Sequence, residues 1–245
     1  MKTSNETFKI LLLIARPAAG KSEIIAHLKN TPVDLRIKLF NIGSFEELDD
    51  FPMLWTWFEE DQILSDLGHP RLHTDDDVNF LYPYLWDLLV RRINLDYSKK
   101  LRDEPDYHND CTTIIEFARG TSHGGFSRAF QHLSREIAEK MAILYINVSW
   151  DESFRKNRSR FNPDKPDSIL EHGLTDDKMK SLYKDVDWEE LTANSPDYLE
   201  IQGVSVPYVV FENEDDVTSA GGDLLTERLG KSLADLYKRY QKFQN

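Results

Sequence analysis

The run Phe8-Lys9-Ile10-Leu11-Leu12-Leu13-Ile14-Ala15 constrains the fold more than any other part of the chain. Successive side chains of a strand point to opposite faces. A strand that is apolar at consecutive positions therefore needs cover on both faces, as in the middle of a parallel sheet. The run falls short of the ~18–20 apolar residues that a membrane span requires. The small-residue cleavage site of a secretory leader does not come after it. The next residues are instead Arg16-Pro17-Ala18-Ala19-Gly20-Lys21-Ser22, and then Ile24, Ile25 and Leu28 at helical spacing over residues 21–29. A buried strand, a short loop and an amphipathic helix succeed one another.

The alternation continues along the chain. Further strands are expected at 36–42, 111–118, 142–148, 198–203 and 206–212. Helices are expected at 126–140, 151–160, 175–191 and about 223–243. Between 44 and about 104 the sequence reads as largely helical. Ser44-Phe45-Glu46-Glu47 and Thr74-Asp75-Asp76-Asp77 have the form of helix starts, a hydroxyl capping the first turn and acids at the positive end of the dipole. Gly68 is placed to stop the first of these helices. Residues 102–106 form a polar break, and a loop with Pro163 and Pro166 comes after the basic helix at 151–160. Strand–helix alternation of this kind predicts an α/β fold with a mostly parallel sheet of about five strands. A chain of 245 residues suits one domain over 1–245.

Thirty basic and 43 acidic residues give a net charge of −13. That argues against non-specific nucleic-acid binding and docking on anionic membranes, which need basic surfaces. Cys111 is the only cysteine, so no intrachain disulfide can form, and a cytoplasmic protein is expected.

The strand–loop–helix carries its own chemistry. A glycine, four residues and Gly-Lys-Ser/Thr between a strand and a helix is the pattern of the phosphate-binding P-loop. Ala15 to Ser22 match its spacing and its Gly20-Lys21-Ser22 end, with Ala15 in place of the first glycine. In such a loop, backbone N–H groups and the helix N-terminus face phosphate oxygens. Ala15, Arg16, Pro17, Ala18, Ala19, Gly20, Lys21 and Ser22 are therefore the expected nucleotide cradle. Lys21 is expected on the β- and γ-phosphates, and the Ser22 hydroxyl on Mg²⁺.

With these motifs in their order, the chain resembles P-loop kinases of the nucleoside and nucleotide group, the uridine kinases among them. The resemblance covers most of the chain in order of elements, but short motifs carry it. It implies a three-layer α/β/α P-loop fold, ATP and Mg²⁺ as cofactors, and a helical acceptor-side insertion at about 44–104. It also implies a lid-like segment at about 151–191. Glu116, at the end of the third strand, stands at the Walker B position and is implied to support the metal. Glu46-Glu47-Leu48-Asp49-Asp50-Phe51 resembles the Asp-Asp-Phe segment of uridine kinases, which makes Asp49 the candidate base and Asp50 its neighbour. A likeness to deoxynucleoside kinases favours Glu46 or Glu47 instead. Arg119 is a candidate acceptor or phosphate contact. Arg155 and Arg158, on one face of the basic helix, are implied to close over the transferring phosphoryl group. Asn213, in the loop after the last strand, is a candidate contact to the base of the nucleotide.

The remaining features divide between binding and structure. Trp55, Trp57, Phe58, Tyr82, Tyr84 and Trp86 read as core, with base or sugar stacking as the alternative. His69, Arg71 and His73 stand in a loop where they could meet phosphate or acceptor. His123-Gly124-Gly125 reads as a flexible loop near the site. The function implied is ATP-dependent phosphoryl transfer to a small-molecule hydroxyl or phosphate, on a nucleoside or nucleotide by the resemblance. The alternative is a non-catalytic nucleotide-binding regulatory module. Neither the Asn-Lys-x-Asp motif nor an Asp-x-x-Gly after the third strand is present, which argues against a GTPase.

Overall fold

The computed structural model describes residues 6–160 and 174–244. Its centre is a six-stranded sheet in the order β2-β3-β1-β4-β6-β5. The strands are β1 (Ile10–Ala15), β2 (Ser44–Asp49), β3 (Cys111–Phe117), β4 (Met141–Asn147), β5 (Tyr198–Ile201) and β6 (Val204–Glu212). The first five in spatial order run parallel, and β5 pairs antiparallel with β6 at the edge. The architecture is thus α/β with a mostly parallel sheet. It has six strands where about five are expected; the short edge strand β5, expected at 198–203, folds back on β6 around Gln202 and Gly203, both at positive φ.

β1 is hydrogen-bonded on both sides, to β3 and to β4, and all six of its residues are buried. Leu11, Leu13 and Ala15 point into one core, and Ile10, Leu12 and Ile14 into the other. The first core is covered by α1 (Lys21–Asn30), α2 (Val33–Phe40) and α11 (Gly222–Gln244). The second is covered by α4 (Tyr84–Asp103), α5 (Gly125–His132), α6 (Arg135–Ala138) and α9 (Trp188–Thr192). From β1 the chain crosses the first face to reach β2. From β3 it crosses the opposite face to reach β4. The C-terminal ends of β1 and β3 therefore flank the point where the winding reverses, which is where open α/β sheets form a binding crevice.

Two expectations fail here together. Residues 36–42 are not a strand but lie in and just after α2. Leu35, Ile37 and Leu39 alternate as in a strand, yet α2 leaves Leu35 and Leu39 exposed and buries Phe40 and Arg36. The Arg36 guanidinium donates to Gly43 O and Leu28 O, which locks the turn before β2. Ser44-Phe45-Glu46-Glu47 is not a helix start but β2 itself, a polar edge strand. The insertion therefore begins with a strand, and its helices are α3 (Phe51–Asp66) and α4. Gly68 stands just past α3 at φ +78°, the left-handed position at which a helix stops.

Thr74-Asp75-Asp76-Asp77 is likewise no helix start. Thr74 bridges to Phe80, and the turn between them is tied by Asp75. The Asp61 carboxylate, fully buried on α3, accepts from Leu72 N (2.7 Å), Thr74 N (2.7 Å) and Thr74 Oγ1 (2.7 Å). Over 126–140 the helix breaks at Leu133, and Ser134 caps α6 through Ile137 N. Over 175–191 there are two helices, α8 (Asp176–Tyr183) and α9. The loop with Pro163 and Pro166 lies outside the described residues.

α8 seats on the loop after β3. Ser122 Oγ donates to Leu182 O (3.0 Å), and Thr121 N donates to Asp185 O (2.9 Å). Gly120 permits this approach: a Cβ there would stand 1.8 Å from Leu182 O. Gly120→Ala should unseat α8 at a cost of about 1–3 kcal/mol. The expected result is a lowered Tm together with faster hydrogen exchange over 176–183. Unchanged exchange there would show that α8 does not depend on this contact.

Candidate functional site

The crevice between β1 and β3 is built from four loops. The β1–α1 loop leaves β1 at Ala15, which is fully buried and pairs with Ile146. Ala15 keeps strand geometry, so its Cβ is accommodated. The left-handed conformations fall further on, at Ala18 (φ +54°) and Gly20 (φ +111°). Gly20 precedes α1 and gives no side-chain cap. The first N–H groups of α1 thus have neither an intrahelical partner nor a cap. Lys21 is half-buried and Ser22 exposed at this helix end.

Asn213 holds the loop from behind. Its side-chain amide donates to Ala19 O (2.9 Å) and to Thr218 Oγ1 (2.8 Å), and its carbonyl oxygen accepts from Thr218 N (3.2 Å). Asn213 is fully buried. A Cβ on Gly20 would meet Thr218 Oγ1 at 2.5 Å and Asn213 Nδ2 at 2.8 Å. Asn213, expected against a base, is instead committed to the backbone of the β1–α1 loop. Arg16 is also engaged: its guanidinium donates to Tyr183 O (2.6 Å) and Lys184 O (2.7 Å), at the end of α8. Ser153 of α7 (Trp150–Arg160) donates to Pro17 O (2.7 Å).

The acids stand at the neighbouring strand ends. β2 and β3 are in register so that Asp49 faces Glu116. Phe51 N donates to Asp49 Oδ1 (2.9 Å). Glu116 Oε2 is buried without a hydrogen-bond partner. Burial, the Glu116 carboxylate and the Asp50 carboxylate, in that order, push Asp49 up to about 8. The other candidate acids are paired away: Glu46 with Lys100 (2.9 Å), Glu47 with Lys29 (2.7 Å) and Asp50 with Arg119 (2.6 Å). The Arg119–Asp50 pair is buried, with side chains 3% and 9% exposed. Arg119 also lies over the rings of Trp86 and Phe117, each 5.2 Å away.

Arg155 and Arg158 are exposed on α7. Arg155 is held by Glu152 (2.6 and 2.7 Å) and reaches Asp216, and Arg158 is held by Asp176. The buried face of α7 is Ser153, Lys156 and Asn157, at i, i+3 and i+4. Lys156 pairs with Asp216. Sequence reasoning misses this face, although its spacing on a helix crowded with charge is an available signal. His123 is missed in the same way, since a His-Gly-Gly run has the composition of a flexible loop. The side chain is buried, and its ring stacks on Trp86 with centroids 3.8 Å apart.

The aromatic residues of the insertion divide as their burial dictates. Trp57 is core and stacks on His73, and Phe58, Phe80 and Trp86 pack beside it. Tyr82 and Tyr84 are exposed and stack on each other. Arg71 is turned to Thr74 and Ser65. Two open cavities, of about 500 and 580 Å³, lie away from this crevice. One is beside Lys9, His108 and Lys140 at the opposite end of the strands, and the other lies between β6 and α11.

A divalent cation can be tested against this donor set. Among the described residues no group of three His, Cys, Asp or Glu side chains stands ready to hold a metal. Mg²⁺ does not require one, since it retains waters and takes phosphate oxygens beside one or two protein ligands. The unpartnered oxygen of Glu116 and the hydroxyl of Ser22 suit that demand.

The raised pKa of Asp49 has a stability consequence. A carboxyl whose folded value lies above its unfolded value takes up a proton on folding. Its contribution is complete below about pH 4 and is lost as pH rises through about 8. Asp49→Asn removes this dependence. The variant should gain stability relative to the parent between pH 5 and pH 8, read as a growing difference in urea midpoint; a constant difference would contradict the placement of Asp49 against Glu116. Comparison of the chain with protein-family models and with curated proteins finds no match.

Proposed function

We propose that the protein is an ATP-dependent small-molecule kinase of the P-loop type, with Mg²⁺ as cofactor. One observation carries the reading: an uncapped helix N-terminus bearing Lys21 and Ser22 lies beside a buried, unpartnered carboxylate oxygen, at the winding reversal of a parallel sheet. The backbone of Ala18 to Ser22 binds the phosphates, because free N–H groups and the helix dipole favour an anion there. Asn213 and Thr218 fix the shape of the loop before the nucleotide arrives, so binding does not have to order it. Lys21 places a positive charge on the phosphoryl group in transfer. Ser22 and Glu116 would hold Mg²⁺, which when bound neutralises charge on the β- and γ-phosphate oxygens.

Transfer breaks the bond between the γ-phosphorus and the β–γ bridging oxygen and forms one from phosphorus to the acceptor oxygen. The acceptor proton passes to Asp49, and ADP leaves. A base is most effective when its pKa lies near the working pH, and burial, then the Glu116 and Asp50 carboxylates, bring Asp49 into that range. Arg155 and Arg158 take no part while Glu152 and Asp176 hold them.

The test is ADP release from MgATP with and without pooled hydroxylated acceptors. Acceptor-dependent release is expected, falling ~100-fold or more in Lys21→Ala, as when a charge-stabilising donor is removed from a transition state. Release that ignores the acceptor, or survives the substitution, would contradict the reading. Stabilisation of the fold by MgATP without turnover would favour a nucleotide-binding module instead.

A further inference from the structure

We propose that the phosphoryl acceptor is an uncharged or cationic alcohol, not a molecule that already carries a phosphate. The proposal rests on the kinase reading and narrows its acceptor.

Charge disfavours a phosphorylated acceptor. Asp49, Asp50 and Glu116 crowd the ends of β2 and β3. Arg119 is the basic residue set among them, and it is fully engaged. Its guanidinium pairs with Asp50 at 2.6 Å, donates to Ala118 O at 2.7 Å and lies against two aromatic rings. To bind a phosphate, Arg119 would have to leave Asp50 buried and unpaired, which is strongly unfavourable. The other candidate cations are committed as well: Arg16 to the carbonyls of Tyr183 and Lys184, Arg155 to Glu152, Arg158 to Asp176, and Lys178 to Val78 O. Lys21 is assigned to the nucleotide. An anionic acceptor would find no free cation offered by these residues. A hydroxylated neutral molecule needs none, and an amino alcohol suits whichever carboxylate stays ionised.

A hydrogen bond is also left open near Arg119, which shares the Trp86 ring with His123. His123 is 5% exposed, between the face of Trp86 and the edge of Tyr183. Gly120 N donates to its Nδ1 at 3.5 Å, which leaves the ring proton on Nε2. That Nε2 is buried and without a partner. A buried donor of this kind in a native protein calls for a partner. Burial, and then the charge of Arg119, hold the imidazole well below its usual range, so it stays neutral. With Glu116 assigned to Mg²⁺, the groups left for the acceptor are the neutral N–H of His123 and the Asp49 carboxyl that takes its proton. Those two groups match a hydroxyl or carbonyl oxygen and a hydroxyl hydrogen.

The experiment uses matched pairs with MgATP: nucleosides and their 5′-monophosphates, hexoses and their 6-phosphates, amino alcohols and their phosphate esters. Product is read by mass and rate by ADP release. The expected result is transfer to the unphosphorylated member of at least one pair, with kcat/KM at least 100-fold above its phosphorylated partner. In Asp50→Asn, which releases Arg119, that ratio should fall at least tenfold. His123→Phe keeps the ring stack on Trp86 and should raise the acceptor KM at least tenfold while leaving the KM for ATP unchanged. Preference for the phosphorylated member would overturn this inference and leave the kinase reading standing; the parent protein alone decides this if a variant does not fold. Product from no pair, with MgATP still stabilising the fold in a Lys21-dependent way, would overturn the kinase reading and the inference with it.

Discussion

The central position of β1 determines where everything else can be. Its six residues are buried on both faces and hydrogen-bonded to β3 on one side and β4 on the other. A strand in that position needs a helical layer on each face. α1, α2 and α11 supply one, and α4, α5, α6 and α9 the other. The same position delivers the β1–α1 loop to the middle of the C-terminal edge. There it can be reached from β6 by Asn213, from α7 by Ser153 and from α8 through Arg16. The loop has little freedom of its own. Gly20 is required both by its positive φ and by the approach of Thr218 and Asn213.

Register does for the acids what burial does for the loop. β2 is an exposed edge strand with little apolar content, and its pairing with β3 sets Asp49 opposite Glu116. Two carboxylates so placed resist being ionised together. Such an arrangement costs stability in a protein that binds nothing there. It becomes reasonable where a cation or an acceptor hydroxyl relieves it. The unpartnered oxygen of Glu116 and the unpartnered nitrogen of His123 belong to the same balance.

The parts of this layout that are legible in the sequence are those in which pattern and burial coincide. β1 and most of β4 are uninterrupted apolar runs, β3 carries the apolar pair Ile114-Ile115, and Gly20-Lys21-Ser22 sits where a strand gives way to a helix. The Leu35–Leu39 alternation misleads, because an exposed face of α2 happens to carry leucines at strand spacing. β2 is unreadable for the complementary reason: Ser44 to Asp49 give each face a single apolar side chain, Phe45 on one and Leu48 on the other, and acids after a serine have the composition of a helix start. Asp49 is singled out only by likeness to a segment of uridine kinases, and the structure places it at the end of a strand. What no local pattern reveals is partnership. That Glu46 and Glu47 are taken by Lys100 and Lys29, and Asp50 by Arg119, depends on contacts between residues distant in sequence.

Residue type and residue placement diverge most for arginine. By type, Arg16, Arg119, Arg155 and Arg158 are phosphate ligands, since the guanidinium fork matches phosphate oxygens. By placement, three of them join two parts of the fold. Arg16 ties the β1–α1 loop to the end of α8, Arg119 ties β3 to the start of α3, and Arg158 ties α7 to the first turn of α8. The same planar, multivalent donor that suits phosphate also suits a carbonyl pair or a carboxylate, and in an acidic chain there are carboxylates enough to occupy it. The groups that carboxylates do not occupy in this way are the backbone N–H groups at the start of α1, next to Lys21. That division leaves the N-terminus of α1 uncapped at the centre of the sheet in a chain of net charge −13.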